Sequence, residues 1–564
     1  MTEAETLTDT AYPVAKLLGG LRALSGRALA LETRLSLRVA GALLAAMAII
    51  LAAILLLCDG HLIYGLDDPY ISLSLGWHIG HGHYGINDAD LSSPSSSILY
   101  PFVLAGFAWS ALQQWVPLAL NALATAGIGA LLALILCRGA VTRRAQLLPA
   151  TILLVSLCLA INLVGLAFTG LEHSLHALTS VAVVLGLARV LEGERVPFWL
   201  LAAIVLAPLW RFEGLALSLL AIGALALVGR WRAAAVATLA IVAALGADMI
   251  AMHAMGLPLL PSSVMVKSYV FGPGETGAYP PGFLDSLLTN LGAVPPSRYI
   301  LLSLALVVLH PLLRSLGVLR SDGAERLTLR REWIFAGVIA GALLAQILFG
   351  ARSWFFRYEA YAVTLGAAGA MILWQRAIGA LLTCGRPWMI AAACVALFEI
   401  DPTYAWTTIY TPLASRSIYE QQYQMRRFAV DYYRAPVAVN DLGWVGYRNP
   451  NYVLDLWGLG SEAARRARLS THEPGWMDRL VQAHHVGIAM IYADWFGDAL
   501  PASWIPLALL EPAHAGVTTG GEIVTIYATS PEAVPDALAA LQGFAATAGP
   551  AVRLTMLADT QPAR

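Results

Sequence analysis

The chain has 564 residues, of which 58% are hydrophobic and only 13% charged, and its mean hydropathy is +0.67. A water-soluble protein carries about 25% charged residues, so this balance excludes an ordinary soluble globule and points to repeated bilayer crossings. The formal net charge of −1 identifies no partner, and nothing in it points to nucleic acid.

In chain order, residues 1–35 are mixed polar and read as a cytoplasmic N-terminal segment. No cleavable signal is expected, because the first apolar run is too long for an h-region and acts as an anchor instead. Apolar runs of about 20 residues are what a hydrocarbon core of about 30 Å demands of helices. They fall near 36–58, 117–137, 147–168, 172–190, 197–211, 213–229, 233–254, 299–319, 333–350, 359–376 and 387–402. Residues 97–113 are also apolar. A crossing there would put Arg138, Arg143 and Arg144 opposite the basic N-terminus, against the positive-inside rule. They are expected to form a helix on, or dipping into, the outer leaflet. Two short passes over 197–229 keep Arg189 and Arg195 on the side of Arg230 and Arg232. The expectation is thus a polytopic α-helical membrane domain, 36–402, with about 11 crossings and outer-leaflet juxtamembrane helices. The C-terminal domain, 403–564, is then left on the periplasmic side of a bacterial inner membrane.

That tail is less apolar. Short β-type runs occur at PVAVN (436–440), NYVLDL (451–456), VGIAMIYA (486–493) and EIVTIYA (522–528), and helices are expected over 474–485 and 531–546. Strands alternating with helices suggest a small α/β domain. The last 15 or so residues read as frayed. Five cysteines (Cys58, Cys137, Cys158, Cys384, Cys394) lie in or beside apolar runs and show neither a disulfide framework nor zinc spacing.

The chemistry gathers at one boundary. GLDDPYISLSLGWHIGHGHYGINDADLSSPSSS (65–97) holds Asp67, Asp68, Asp88, Asp90 and three histidines, His78, His81 and His83, without one Lys or Arg. On the same side fall Glu172 and His173 of TGLEHSL, Arg211 and Glu213 of WRFEG, Lys267 of PSSVMVKSY, and Arg352, Arg357, Tyr358 and Glu359 of ARSWFFRYEAY. Ionisable groups at membrane depth cost at least about 2.5–3.5 kcal/mol, so they persist mainly where they pair or act. Plainer readings stand beside this one. Asp68-Pro69 resembles a helix start, with Asp at the N-cap and Pro at N1. Arg211 with Glu213, or Arg357 with Glu359, reads as an interfacial salt bridge, and Lys267 as a snorkelling side chain. The histidines lack a clear ligand geometry and read as exposed loop residues.

Taken together, these motifs resemble the GT-C superfamily of lipid-phosphosugar-dependent glycosyltransferases, and within it the mycobacterial-type arabinofuranosyltransferases. The similarity is carried by Asp67-Asp68-Pro69-Tyr70-Ile71, Ser92-Ser93-Pro94, Gly170-Leu171-Glu172, Arg211-Phe212-Glu213-Gly214, the Pro261 to Lys267 spacing, Arg357-Tyr358, and the segments 437–447 and 452–461. It runs from about residue 60 to 460. Phe212 stands where the family usually has Pro, and the Pro often found shortly after Arg-Tyr is missing. The resemblance implies sugar transfer, with inversion, from a polyprenyl phosphate to a cell-envelope glycan, lipid or protein acceptor. Asp67 or Asp68 would be the general base, Asp67 favoured because it matches the first acid of related pairs. Lys267, Arg357 and Arg211 would hold the donor phosphate, with Glu172, His173, Glu213 and Tyr358 in support. Some superfamily members use a divalent metal and others none; no other cofactor is implied. Two rivals share the topology. A lipid-linked sugar flippase would show inverted repeats and midplane charges, and an O-antigen ligase or polymerase would place its essential arginines in a large late loop.

Overall fold

The computed structural model describes residues 11–88, 90–267, 288, 291–292, 296–319, 326–352, 354–471 and 474–557; at 11–29, 264, 267, 470 and 471 it describes the backbone alone. The helices are α1 (Ala11–Leu57), α2 (Asp68–Gly80), α3 (Tyr100–Ala105), α4 (Val116–Cys137), α5 (Leu147–Ala160) and α6 (Leu163–Ala167). Then follow α7 (His173–Leu191), α8 (Phe198–Trp210), α9 (Gly214–Leu227), α10 (Trp231–Ala254), α11 (Ser262–Lys267) and α12 (Arg298–Ser315). The last of the bundle are α13 (Leu329–Phe349), α14 (Ala360–Leu373), α15 (Gln375–Thr383), α16 (Pro387–Ile400) and α17 (Pro402–Glu420).

Six helices are long and apolar enough to cross a bilayer: Ala30–Leu57 of α1, Gln113–Cys137, α7, α10, α12 and α13. The pairs α14–α15 and α16–α17 bend by 75° and 81° at short breaks, and counting each pair as one span gives eight. α5, α8 and α9 are apolar but short. Every stretch expected to cross is helical, but α5, α8 and α9, which cover three of the eleven expected crossings, fall short of span length. The reasons are local. Asn162, at φ +61°, breaks the run over 147–168 into α5 and α6. The turn at Arg211 separates α8 from α9. In the apolar run at 97–113 only α3, six residues long, is an α-helix. It is too short to span. Its neighbours Phe107, Trp109 and Leu112 stay exposed.

α7 is the most buried of the six and packs on α4, α8 and α14. Its 19 residues rise about 28 Å at 1.5 Å each, so its two ends mark two levels. At its C-terminal end a charged layer links Arg138 with Glu192, and Arg189 with Glu194 at 2.7 Å. At its N-terminal end lies the cavity described below.

The tail carries a six-stranded sheet in the order β2-β1-β3-β5-β4-β6. Its strands are β1 (Val437–Val439), β2 (Val453–Asp455), β3 (Ile488–Ile491), β4 (Ile505–Pro512), β5 (Val524–Ala528) and β6 (Val552–Met556). β2, β1 and β3 are parallel, and β5, β4 and β6 continue antiparallel. Alternation sets the two faces. Ala438, Ala489 and Ile491 pack under the helix Trp476–Ala483, through Trp476, Met477 and Val481. Val437, Val439, Ile488 and Met490 share a second core with Leu541 and Phe544 of the helix Val534–Ala545. That second core also contains Ile71 and Leu75 of α2, so the tail is seated on the first outer loop. Two strands escaped the sequence reading. β4 holds Pro506 and Pro512, which argue against a central strand, and β6 lies in the stretch read as frayed. It is ordered because β4 offers it a partner edge.

Candidate active site

The N-termini of α2, α7 and α14, the turn between α8 and α9, and the C-terminus of α13 converge on one cavity of ≈ 420 Å³. Its polar lining includes Asp68, Glu172, His173, Arg211, Glu213, Arg357 and Tyr358. Residues scattered over nearly 300 positions of the chain therefore meet in one pocket. The Lys267 side chain lies outside the described residues. The helix that carries it, α11, puts Ser263 into the same wall and is tied to the Ser-rich turn by Ser262 N–H donating to Ser93 O at 2.9 Å.

Each side chain is aimed by its local backbone. Gly170, at φ +69°, lets the chain turn sharply just before Glu172; a Cβ there would also lie 2.7 Å from the Tyr64 ring. Arg211 sits in extended backbone where α8 stops, and its guanidinium donates to Glu172 Oε1 and Glu213 Oε1, both at 2.8 Å, and to Ser96 Oγ at 3.1 Å. Arg357 follows Trp354, Phe355 and Phe356, all at positive φ (49°, 66°, 54°). For bulky L-residues each such step costs about 1–2 kcal/mol, and it folds the chain back so that Arg357 is 2% exposed in the cavity wall. Arg357 Nη2 pairs with Asp68 Oδ2 and donates to Tyr358 Oη at 2.9 Å. Tyr358 presents its ring to both cations, 4.8 Å from the Arg357 guanidinium and 5.5 Å from that of Arg211.

The two arginines differ in what they have left to give. Arg211 gives both Nη groups to carboxylates and has only Nε without a partner among the described residues. Arg357 keeps Nε and Nη1 buried and without a hydrogen-bond partner among the described residues. Such donors are costly to leave unmade and mark a place for an anion.

The acid pair is split. Asp68 lines the cavity, whereas Asp67 is 7% exposed and absent from the lining. Both Asp67 oxygens are taken: Gly443 N–H donates to Oδ2 at 2.6 Å and Trp444 N–H to Oδ1 at 2.8 Å. Burial, and then neighbouring Asp441, hold the Asp67 carboxyl well above the usual carboxylate range, against the pull of those two N–H groups. The helix start is also displaced by one residue from the expectation: Asp67, not Asp68, is at the N-cap, and it makes no capping bond. Arg357 pairs with Asp68 rather than Glu359, and Glu359 instead accepts from Tyr404 Oη at 3.2 Å. Of the histidines, His78 is buried against Asp88 at 3.2 Å, while His61 and His81 are exposed. No cluster of His, Cys, Asp and Glu with metal-binding geometry occurs among the described residues.

Residues that sequence reading passed over complete the pocket. Ser95, Ser96, Ser263 and Gln346 line it. Gln346 accepts from Tyr361 Oη at 3.1 Å and donates to Ala351 O at 2.8 Å. A lone Gln inside the apolar run of α13 was the available signal. Leu215, Ala216 and Leu219 of α9 and Phe349 of α13 supply apolar wall. Leu219 also borders a second, apolar cavity of ≈ 570 Å³, between Gly223 and Leu227 of α9 and Trp333 and Gly337 of α13, with Arg330 at its edge.

A polar pocket at one end of an apolar helix bundle, with an α/β domain packed on α2 beside it, defines a multi-pass helical membrane protein. Compared with known proteins, residues 414–527 match a family model described as a domain of unknown function (DUF8728). No curated protein matches the chain. Among solved structures the chain is similar to ArnT from Cupriavidus metallidurans, crystallised in the apo state, with 13% identity, a TM-score of 0.42, and coverage of 87% of this chain and 98% of that one.

Proposed function

We propose that the protein is a GT-C-type glycosyltransferase that moves a sugar from a polyprenyl-phosphate donor to a cell-envelope acceptor on the outer face of a bacterial inner membrane. The observation that carries this reading is the Asp68–Arg357 pair, with two buried Arg357 donors that have no partner among the described residues, in a cavity continuous with apolar wall. A donor of this class has those three properties: a sugar, a phosphate and a long apolar chain. The α9–α13 seam, with Leu219 common to both cavities, would take the chain while the phosphate meets Arg357.

In this reading Asp68 is the base. It accepts the proton of the acceptor hydroxyl, whose oxygen attacks the anomeric carbon as the carbon–oxygen bond to phosphate breaks, with inversion. Negative charge grows on the leaving polyprenyl phosphate, and Arg357 is the fixed positive charge that meets it. Phosphate arriving at Arg357 competes with Asp68 for the guanidinium and frees the carboxylate for its proton. Arg211, already held by Glu172 and Glu213, orders the wall together with Tyr358 and His173. Asp67 is not given the role of base, because the Gly443 and Trp444 amides occupy both its oxygens. Lys267 remains a candidate phosphate ligand. Arabinofuranose is the sugar that the resembling family suggests.

The test is transfer from a panel of labelled undecaprenyl-phosphate sugars by purified protein in detergent or liposomes. Asp68→Asn should lower kcat by about 10²–10⁴-fold with the protein still folded, in keeping with loss of a general base. Arg357→Lys keeps the charge but loses the planar fork, and should lower kcat/KM by about 10–100-fold. Full activity of Asp68→Asn would end the assignment. Flipping of the same lipids without transfer would favour a transporter.

A further inference from the structure

The first outer loop and the tail meet at more than one point. Tyr70 of α2 stacks on Trp444 with ring centroids 3.9 Å apart. Ser74 Oγ donates to Gly446 O at 3.1 Å, and Asn87 bonds the Val453 backbone in both directions, at 3.0 and 2.8 Å. Asp67 lies at the centre of these contacts, peptide-bonded to the cavity residue Asp68. Its two oxygens receive the first two amides of the turn Gly443–Gly446, which follows β1. Only glycine fits at 443: an added Cβ would fall 2.5 Å from Asp67 Oδ2 and collide with Asp67 O. Beneath it, Asp441 accepts from Gln422 Nε2 at 2.7 Å and from Tyr492 Oη at 3.3 Å, so the tail side of the contact is itself held rigidly.

We infer that Asp67 is a positioning residue, whose carboxyl group fastens the tail to the first outer loop and so holds Asp68 in register with Arg357. This rests on the transferase reading above and adds a role for the tail within it. The backbone at Asp67 is the last point before α2 begins, and a misplacement of about 1 Å at a reacting group lowers a rate on the order of 100-fold. Fixing that point from the tail therefore acts on the chemical step. The donor contacts at Arg357 and the α9–α13 seam lie on other elements and are left alone.

Two variants cut the contact from opposite sides, Asp67→Asn and Gly443→Ala, and neither residue lines the cavity. With a labelled undecaprenyl-phosphate sugar as donor, each should lower kcat by about tenfold or more while donor KM stays within about twofold, the pattern of an interaction felt in the transition state. The double variant should be no slower than the slower single, because both remove one contact. Hydrogen exchange should rise together in peptides covering 66–80 and 440–447. Where Gly443→Ala does not fold, Asp67→Asn and Asp67→Ser carry the comparison. Faster exchange at both peptides with unchanged kcat would overturn the inference. So would kcat and KM worsening together with a lowered melting temperature, which is what general damage to the tail produces. No transfer by the unaltered protein would instead defeat the transferase reading, and this inference with it.

Discussion

Asp67 and Asp68 are adjacent acids with different surroundings, and that difference decides what each can do. Asp68 shares a guanidinium at the cavity wall; Asp67 is shut in between two amides and a second acid. A folded-state carboxyl held above its unfolded value binds its proton more tightly in the folded chain. Its stabilising contribution is therefore full below the ordinary value of about 4 and is lost as pH rises through the raised value. Thermal unfolding followed by tryptophan fluorescence should accordingly show a midpoint that falls as pH rises above the ordinary carboxyl value. The fall should be shallower in Asp67→Asn. Equal slopes would assign the pH dependence elsewhere. At this scale the sequence named the residue types well and their partners less well. Glu172, Arg211 and Glu213 were all singled out and the Arg211–Glu213 pair was read, but the joining of Glu172 to the same guanidinium needs two loops to meet, which spacing alone does not report.

Between elements, the seam of α9 and α13 shows how packing makes a path. Gly341 lies close to Leu220, where an added Cβ would meet Cδ1 at 2.8 Å, whereas Gly223 and Gly337 have nothing within 4 Å. The two helices touch at one level and part below it. Gly337→Leu should fill the lower opening. A displaced isoprenoid chain moves into lipid, not water, so only packing is lost. The expected effect is a rise of about three- to tenfold in KM for a long-chain donor and none for a donor of one or two isoprene units. An equal rise for both would show that the seam does not hold the chain. The apolar runs of α9 and α13 were legible in the sequence. The gap between them was not, because a glycine in a membrane helix marks either a close approach or an opening, and only the neighbouring helix distinguishes them. The left-handed turn at Trp354–Phe356 was equally hidden, since no Gly or Asn announces it.

For the whole molecule, the charged layer of Arg138, Arg189, Glu192 and Glu194 and the cavity layer of Asp68, Arg211 and Arg357 lie at opposite ends of α7. The positive-inside rule predicts the first layer in the cytosol, and the proposed function accordingly puts the cavity and the tail outside. Alkaline phosphatase fused after residue 557 should be active and a green fluorescent protein at the same point dark, with the reverse at the N-terminus. Matching signals at the two ends would require an even number of crossings and would remove the sidedness on which the outer active site depends.

Hydrophobic patterning and charge by themselves determined the helix bundle, the α/β character of the tail and the acids and bases worth watching. These are properties of segments, set by the cost of apolar surface in water and of charge in hydrocarbon. Tertiary structure alone decided that Asp68, not Asp67, lines the cavity, that Arg211 holds two carboxylates while two Arg357 donors have no partner among the described residues, and that β4 and β6 complete the sheet. Those outcomes depend on contacts between residues up to 377 positions apart, and a hydrogen bond has no partner until the fold supplies one.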